Sequence, residues 1–277
     1  MHNGNKMKYE KIPPPAHLDR YVQYFWTYES EGMAGPPKTF RPITDGCPGI
    51  IVQLSERDPL FDQNKKQLPT LCLYGQTIKH REIQARDQFR VIGACFSPVG
   101  LKSIFGLNAD ELTDTCAALN GLPGQQALFL SEQLAGTDSI RYRIELLSAY
   151  VSAQIRENKF QLDNVTDYAL SQLIKSEGTI PLKELQDELN VSERHLERKF
   201  KEGVGISPKL FSRICRFQAS FQQLKTNKYD KLSDIAFENG YADQSHFIRV
   251  FKEFAGFPPN RYGKQSAEIV ENLAEWY

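Results

Sequence analysis

The chain has 277 residues, 40% hydrophobic and 25% charged, with 34 Lys and Arg against 34 Asp and Glu. That is the make-up of an ordinary globular protein long enough for two cores, and zero net charge argues against binding nucleic acid through bulk charge. No stretch approaches the ~18 apolar residues of a membrane span, and the N-terminus lacks the apolar run of a signal peptide, so a cytoplasmic protein is expected.

Pro13–Pro15 stiffens the start of the chain, and a short helical turn is expected after it. Tyr21–Glu29 is an aromatic and β-branched run that predicts a strand. Residues 32–37 are turn material, and further strands are expected at Phe40–Ile43, Gly49–Ser55, Leu71–Gly75 and Arg90–Ser97. Short strands separated by polar loops suggest a sandwich or small barrel. From Pro98 the period lengthens. Short helices are expected after Val99 and after Asp110, then longer ones over Gln125–Leu134 and Ser139–Ile155. The last of these either closes the first core or contributes to a dimer contact. The five cysteines, Cys47, Cys72, Cys95, Cys116 and Cys215, form no CxxC pair, so reduced and mostly buried thiols are the simplest expectation.

Beyond a polar stretch at Glu157–Asn164 and a helix ending near Gly178, one pattern occurs twice. In the first copy Leu182, Leu185 and Leu189 form an apolar face, Asn190 suits a left-handed turn, and Ser192 suits an N-cap. Leu196 and Phe200 then point inward, leaving Arg194, Glu197, Arg198 and Lys201 as an outward stripe. In the second copy Leu232, Ile235, Ala236 and Phe237 are expected on the apolar side, with Gly240 in the turn and Asp243 as the cap. Phe247 and Phe251 point inward, and Gln244, Ser245, Ile248 and Arg249 outward. His246 suits a phosphate contact or a structural hydrogen bond better than catalysis.

Each copy reads as a helix-turn-helix unit, and the side chains suit base edges. Arg can donate to guanine O6 and N7, Glu can accept from cytosine N4, Gln can pair with adenine, and Ile can touch a thymine methyl. Residues 194–216 carry seven Lys or Arg against two Glu, a local net charge of +5 within the neutral chain. Between the units, Ser207–Thr226 predicts one helix with a Ser cap and Pro at its first position. A spacer of ~20 residues is ~30 Å long, close to the ~34 Å between successive major grooves on one face of DNA.

Ser192, Leu196, Arg198, Phe200, Gly205, Ser207-Pro208, Ile235-Ala236, Gly240-Tyr241, Phe247, Arg249, Phe251-Lys252, Gly256, Pro258-Pro259 and Tyr262 follow a spacing that resembles the AraC/XylS family of transcription regulators. The resemblance covers the last ~100 residues. It implies that Arg194, Glu197, Arg198, Gln244, Ser245 and Arg249 occupy base-reading or backbone-reading positions. It also implies an α+β protein of two domains: a mostly β, cupin-like or related first domain with added helices, and an all-α tandem helix-turn-helix domain.

The expected boundaries are 1–157 for sensing or dimerisation, 163–265 for DNA binding, and 266–277 for a helical tail. Double-stranded DNA is the expected partner, with a small-molecule effector, RNA polymerase and a second copy of the chain as further candidates. No catalytic residue, cofactor or metal site is expected: His2, His17 and His80 are isolated, and there is no phosphate loop. Asp45 and Cys47 sit near a turn, in a packing or capping role or facing an effector. Two other readings stay open: a DNA-repair or other enzyme fused to a DNA-binding module, and a first domain that only dimerises.

Overall fold

The computed structural model describes residues 6–31, 38–54, 59–85, 89–119, 126–159, 163–262 and 269–270. The expected turn at 32–37 lies outside them. The first half is built on a six-stranded antiparallel sheet in the order β1-β2-β8-β4-β6-β9. These strands are β1 (Lys6–Ile12), β2 (Val22–Glu31), β4 (Gly49–Gln53), β6 (Leu71–Tyr74), β8 (Phe89–Phe96) and β9 (Cys116–Ala118). A second sheet takes β10 (Ile269–Val270), β3 (Lys38–Pro42), β7 (Ile83–Ala85) and β5 (Phe61–Asp62), with β10 parallel to β3.

Strand alternation sends the two faces of the large sheet to different neighbours. Phe25, Ile50, Val52, Leu71, Leu73, Ile92 and Phe96 face the helices α1 (Gly100–Phe105), α2 (Gln126–Ala135) and α3 (Ile140–Asn158), meeting Leu101, Ile104, Leu134, Leu147 and Val151 in one core. α3 therefore closes the first core, the first of its two expected roles. The intervening residues Trp26, Tyr28, Ile51, Cys72, Tyr74 and Val91 face a cavity. Gly93 allows this face to stay open to Trp26: a Cβ there would meet the indole at 2.5 Å.

The second half holds α4 (Asn164–Lys175), α5 (Leu182–Leu189), α6 (Glu193–Val204), α7 (Pro208–Lys225), α8 (Leu232–Glu238) and α9 (Gln244–Ala255). Its core is rich in phenylalanine: Phe200, Phe211, Phe217, Phe221, Phe247, Phe251 and Phe254 are fully buried. Ile43 and Val99, from the first half, are part of that core.

The α+β architecture agrees with the sequence reading, and some local expectations do not. β1 carries no strand expectation in the sequence; its paired partner β2 supplies the hydrogen bonds that make it a strand. Residues 116–118, expected to continue a helical turn, form strand β9 against β6, after a 3-10 turn at Ala109–Leu112. Phe237 is 86% exposed rather than inward. Within α8 the buried face is set by Ile235 and Ala236, and Phe237 projects ~100° further round. Within the expected helical tail, only Ile269 and Val270 are described, and they are extended.

Candidate nucleic-acid interface

The two helix-turn-helix units share one backbone hydrogen-bond pattern in their turns. After α5, Asn190 adopts φ +50° and Val191 N–H donates to Gln186 O at 3.0 Å; after α8, Gly240 adopts φ +66° and Tyr241 N–H donates to Ala236 O at 2.9 Å. This six-to-one bond is the glycine-type helix stop, with Asn in the first copy able to hold a left-handed conformation. Each following helix is capped by an oxygen: Ser192 Oγ accepts from His195 N at 3.3 Å, and Asp243 Oδ1 from His246 N at 2.7 Å. His246 takes the structural role, its Nδ1 accepting from Ala242 N at 3.3 Å.

These caps place the outward stripes. On α6, Arg194, Arg198 and Lys201 are exposed and Glu197 is half-buried; on α9, Gln244, Ser245 and Arg249 are exposed. Ile248 is half-buried and packs against the core, so only part of its side chain faces outward. Leu196 and Phe200 on α6, and Phe247 and Phe251 on α9, are buried beneath the stripes. The spacer α7 has Ser207 as its cap, Pro208 at its start and 18 residues, about 27 Å of helix.

Part of the basic stripe is structural. Arg213 Nη2 lies 2.6 Å from Glu253 Oε2 and its guanidinium sits over Phe254, joining α7 to α9. Arg216 Nη1 donates to Gly240 O at 3.4 Å.

Both α6 and α9 end on a left-handed glycine, Gly205 at φ +96° and Gly256 at φ +85°, and at each the first half closes in. A Cβ on Gly205 would lie 2.9 Å from Ala109 O, and one on Gly256 would lie 2.7 Å from His80 Cδ2. Thr113 Oγ1 donates to Gly205 O at 2.5 Å, and Lys102 Nζ pairs with Glu202 at 3.3 Å. At α9, Glu253 O receives His80 N–H at 3.2 Å and lies 3.0 Å from His80 Nδ1. Between them, Thr44 is clamped: its carbonyl accepts from Gln218 Nε2 of α7 at 2.6 Å, and its N–H donates to Phe254 O at 3.5 Å. Thr44, His80, Thr113 and Gln218 carried no sequence signal, because their partners are distant along the chain.

The segments that make these contacts also wall the cavity. It has a volume of about 490 Å³ and lies between the large sheet and β3, β5 and β7. Trp26, Tyr28, Leu60 and Val91 give it apolar walls, while Asp45, Lys79 and Arg81 give it charge. Asp45 caps its own turn, Oδ1 accepting from Cys47 N at 3.0 Å, and it also lines the cavity. Burial pushes its carboxyl up to about 7, opposed by the Cys47 N–H and by Lys11. All five cysteines are free thiols, and all but Cys116 are buried, as expected. Burial, together with Cys95 and Asp45 nearby, holds the phenols of Tyr24 and Tyr74 well above their ordinary range.

Residues 185–265 match the family described as "Helix-turn-helix domain", and residues 10–118 match "Domain of unknown function (DUF6597)". An uncharacterized HTH-type transcriptional regulator of Staphylococcus aureus strain MSSA476 is 30% identical over 123 residues, 44% of this chain and 16% of that protein. Another, from Haemophilus influenzae, is 31% identical over 83 residues, 30% of this chain and 28% of that protein. The chain thus spans about a sixth of the length of the first of these relatives. Among solved structures, ToxT from Vibrio cholerae aligns at TM-score 0.48 with 18% identity, over 86% of this chain and 97% of that one. The C-terminal domain of AraT from Geobacillus stearothermophilus aligns at TM-score 0.35 with 24% identity, over 43% of this chain and 97% of that one. No helix among the described residues is long and apolar enough to cross a membrane. The duplicated units lie almost entirely inside the matched segment, so over residues 185–265 the chain carries a helix-turn-helix domain of the AraC type.

Proposed function

We propose that the protein is a sequence-specific transcription regulator whose helices α6 and α9 enter adjacent major grooves on one face of DNA. The observation that carries this is the pair of identically built units on a single rigid spacer, each with its polar stripe exposed at the start of its second helix. In this reading Arg194, Glu197, Arg198 and Lys201 on α6, and Gln244, Ser245, Ile248 and Arg249 on α9, face the DNA. Residues 163–265 form the DNA-binding domain, and residues 1–157 hold the input. The cavity favours a small-molecule effector over a first domain that only dimerises, since it combines apolar walls with polar groups, among them Lys79 and the Arg81–Asp114 pair. Such a ligand would meet the same segments that hold α6, α7 and α9.

The test begins with selection of bound sequences from random DNA, which should return two half-sites about one helical turn apart. Against the selected site, Arg198→Ala and Arg249→Ala should each weaken binding by ~1–3 kcal/mol with the fold intact, if each reads a base. Unchanged affinity in both variants sinks the assignment of the reading residues.

A further inference from the structure

Where the cavity wall meets the loop ahead of β4, three potential metal ligands converge. Asp45, Cys47 and Cys95 are all buried, and one ligand atom from each lies within 4.8 Å of the others. Two elements bring them together: Asp45 and Cys47 sit on the loop entering β4, and Cys95 sits on β8, paired in register with Gly49. Cys95 Sγ is 3.9 Å from Asp45 Oδ2, while the other carboxylate oxygen is held by Cys47 N–H at 3.0 Å. That backbone bond fixes the carboxylate's orientation, as partners of metal-ligating carboxylates do.

Two buried oxygens on the adjoining residues lack hydrogen-bond partners. Gln76 gives its amide to Gly46 O at 2.6 Å and leaves Oε1 buried without a hydrogen-bond partner; Thr44 Oγ1, adjacent in sequence to Asp45, is likewise buried and unpartnered. Asp45, Cys47 and Tyr74 also line the cavity, so the space beyond the three ligands is open to whatever the cavity holds.

We propose that Asp45, Cys47 and Cys95 bind a thiophilic divalent cation of the zinc class, with an open coordination position toward the cavity. Two sulfurs and one carboxylate oxygen are a donor set that zinc accepts, and three protein ligands with a free fourth position is its arrangement where a further ligand must enter. Binding displaces the two thiol protons to solvent, together with any proton on the Asp45 carboxyl. Occupancy would also bear on the neighbouring Thr44, which Gln218 and Phe254 clamp. That last consequence rests on the DNA-binding reading, whereas occupancy of the site does not.

The probe is cobalt(II), a spectroscopic stand-in for zinc, added to the reduced, chelator-treated full-length chain. The expected result is one cobalt per chain, thiolate-to-cobalt charge-transfer absorption, and displacement of both by zinc. Asp45→Asn should weaken cobalt binding by at least ~10-fold, the lower end of what losing even an outer-shell partner costs. The double variant Cys72→Ser with Cys116→Ser should bind as the natural chain does. Alkylation mapping of the unmutated protein needs no variant to fold: in denaturant sufficient to expose the buried thiols of the metal-free chain, zinc should slow labelling of Cys47 and Cys95 relative to Cys72 and Cys215 and leave Cys116 reactive. Absence of the charge-transfer band, its loss in the Cys72/Cys116 variant, or zinc protection of other thiols instead would overturn the site. DNA affinity is measured separately with and without zinc. A zinc-dependent change that Gln218→Leu removes, with cobalt binding intact, supports the coupling, and cobalt binding with unchanged DNA affinity overturns the coupling alone.

Discussion

On α6, Glu202 lies 3.9 Å from Arg198 and 3.3 Å from Lys102 of the first half, so one carboxylate is shared between a candidate base-reading side chain and the domain seam. The Arg198 pair is exposed and worth little to stability, which leaves the guanidinium free to swing toward DNA. A second residue stands out for its reactivity. Cys116 is held at about 7, first by its hydrogen bond with the Cys72 thiol and then by Arg81 and Lys66, while the same bond pushes Cys72 up. Of this pair the more accessible thiol therefore carries the thiolate. With metal-free protein, Cys116 should be the first of the five cysteines alkylated at neutral pH, and its rate should fall as pH drops through about 7. Peptide mapping across a pH series measures this, and preferential labelling of Cys215 would contradict it.

Among the elements, the helices of the second half are the most legible. Their signals are local: Ser192, Ser207 and Asp243 are caps, Pro208 opens α7, and Asn190 and Gly240 end their helices within the few residues that sequence patterns can see. β1 and β9 were missed because their strand character comes from pairing with β2 and β6. The cavity was equally out of reach, since its walls come from segments as far apart as Trp26 and Cys116. Phe237 shows the limit even inside a legible helix: apolar identity does not decide which side of the boundary a residue takes. The two sides of α8 should therefore respond differently to mutation. Ile235→Ala removes a fully buried side chain and should cost ~2–5 kcal/mol. Phe237→Ser should stay within about 0.5 kcal/mol of the natural chain, because the side chain is 86% exposed. Denaturant unfolding of the two variants distinguishes them, and a comparable loss for Phe237→Ser would mean that its ring is covered in solution.

At the scale of the whole molecule, the division into two domains is clearer along the sequence than in space. Ile43 belongs by position to the first half, yet it is 2% exposed within the core that includes Phe254 and Phe217. Its neighbour Thr44 bonds to α7 and α9, and the glycine ends of α6 and α9 receive Ala109 and His80. A seam made of both apolar packing and hydrogen bonds transmits strain, because close-packed interiors have little room to absorb it. Removing apolar volume on the first half's side should thus weaken the second. Ile43→Ala is expected to cost ~2–5 kcal/mol, with the loss appearing in the unfolding of α4 to α9. The two halves should unfold in one cooperative transition, with coincident curves from two probes in a chain carrying Trp276→Phe: tryptophan fluorescence, which then reads Trp26 in the first half, and helical circular dichroism, which is weighted toward the second. Two separated transitions in that chain, with Ile43→Ala shifting only the one reported by Trp26, would show that the seam does not couple the halves. It would then deprive any ligand in the cavity of a mechanical route to α6 and α9.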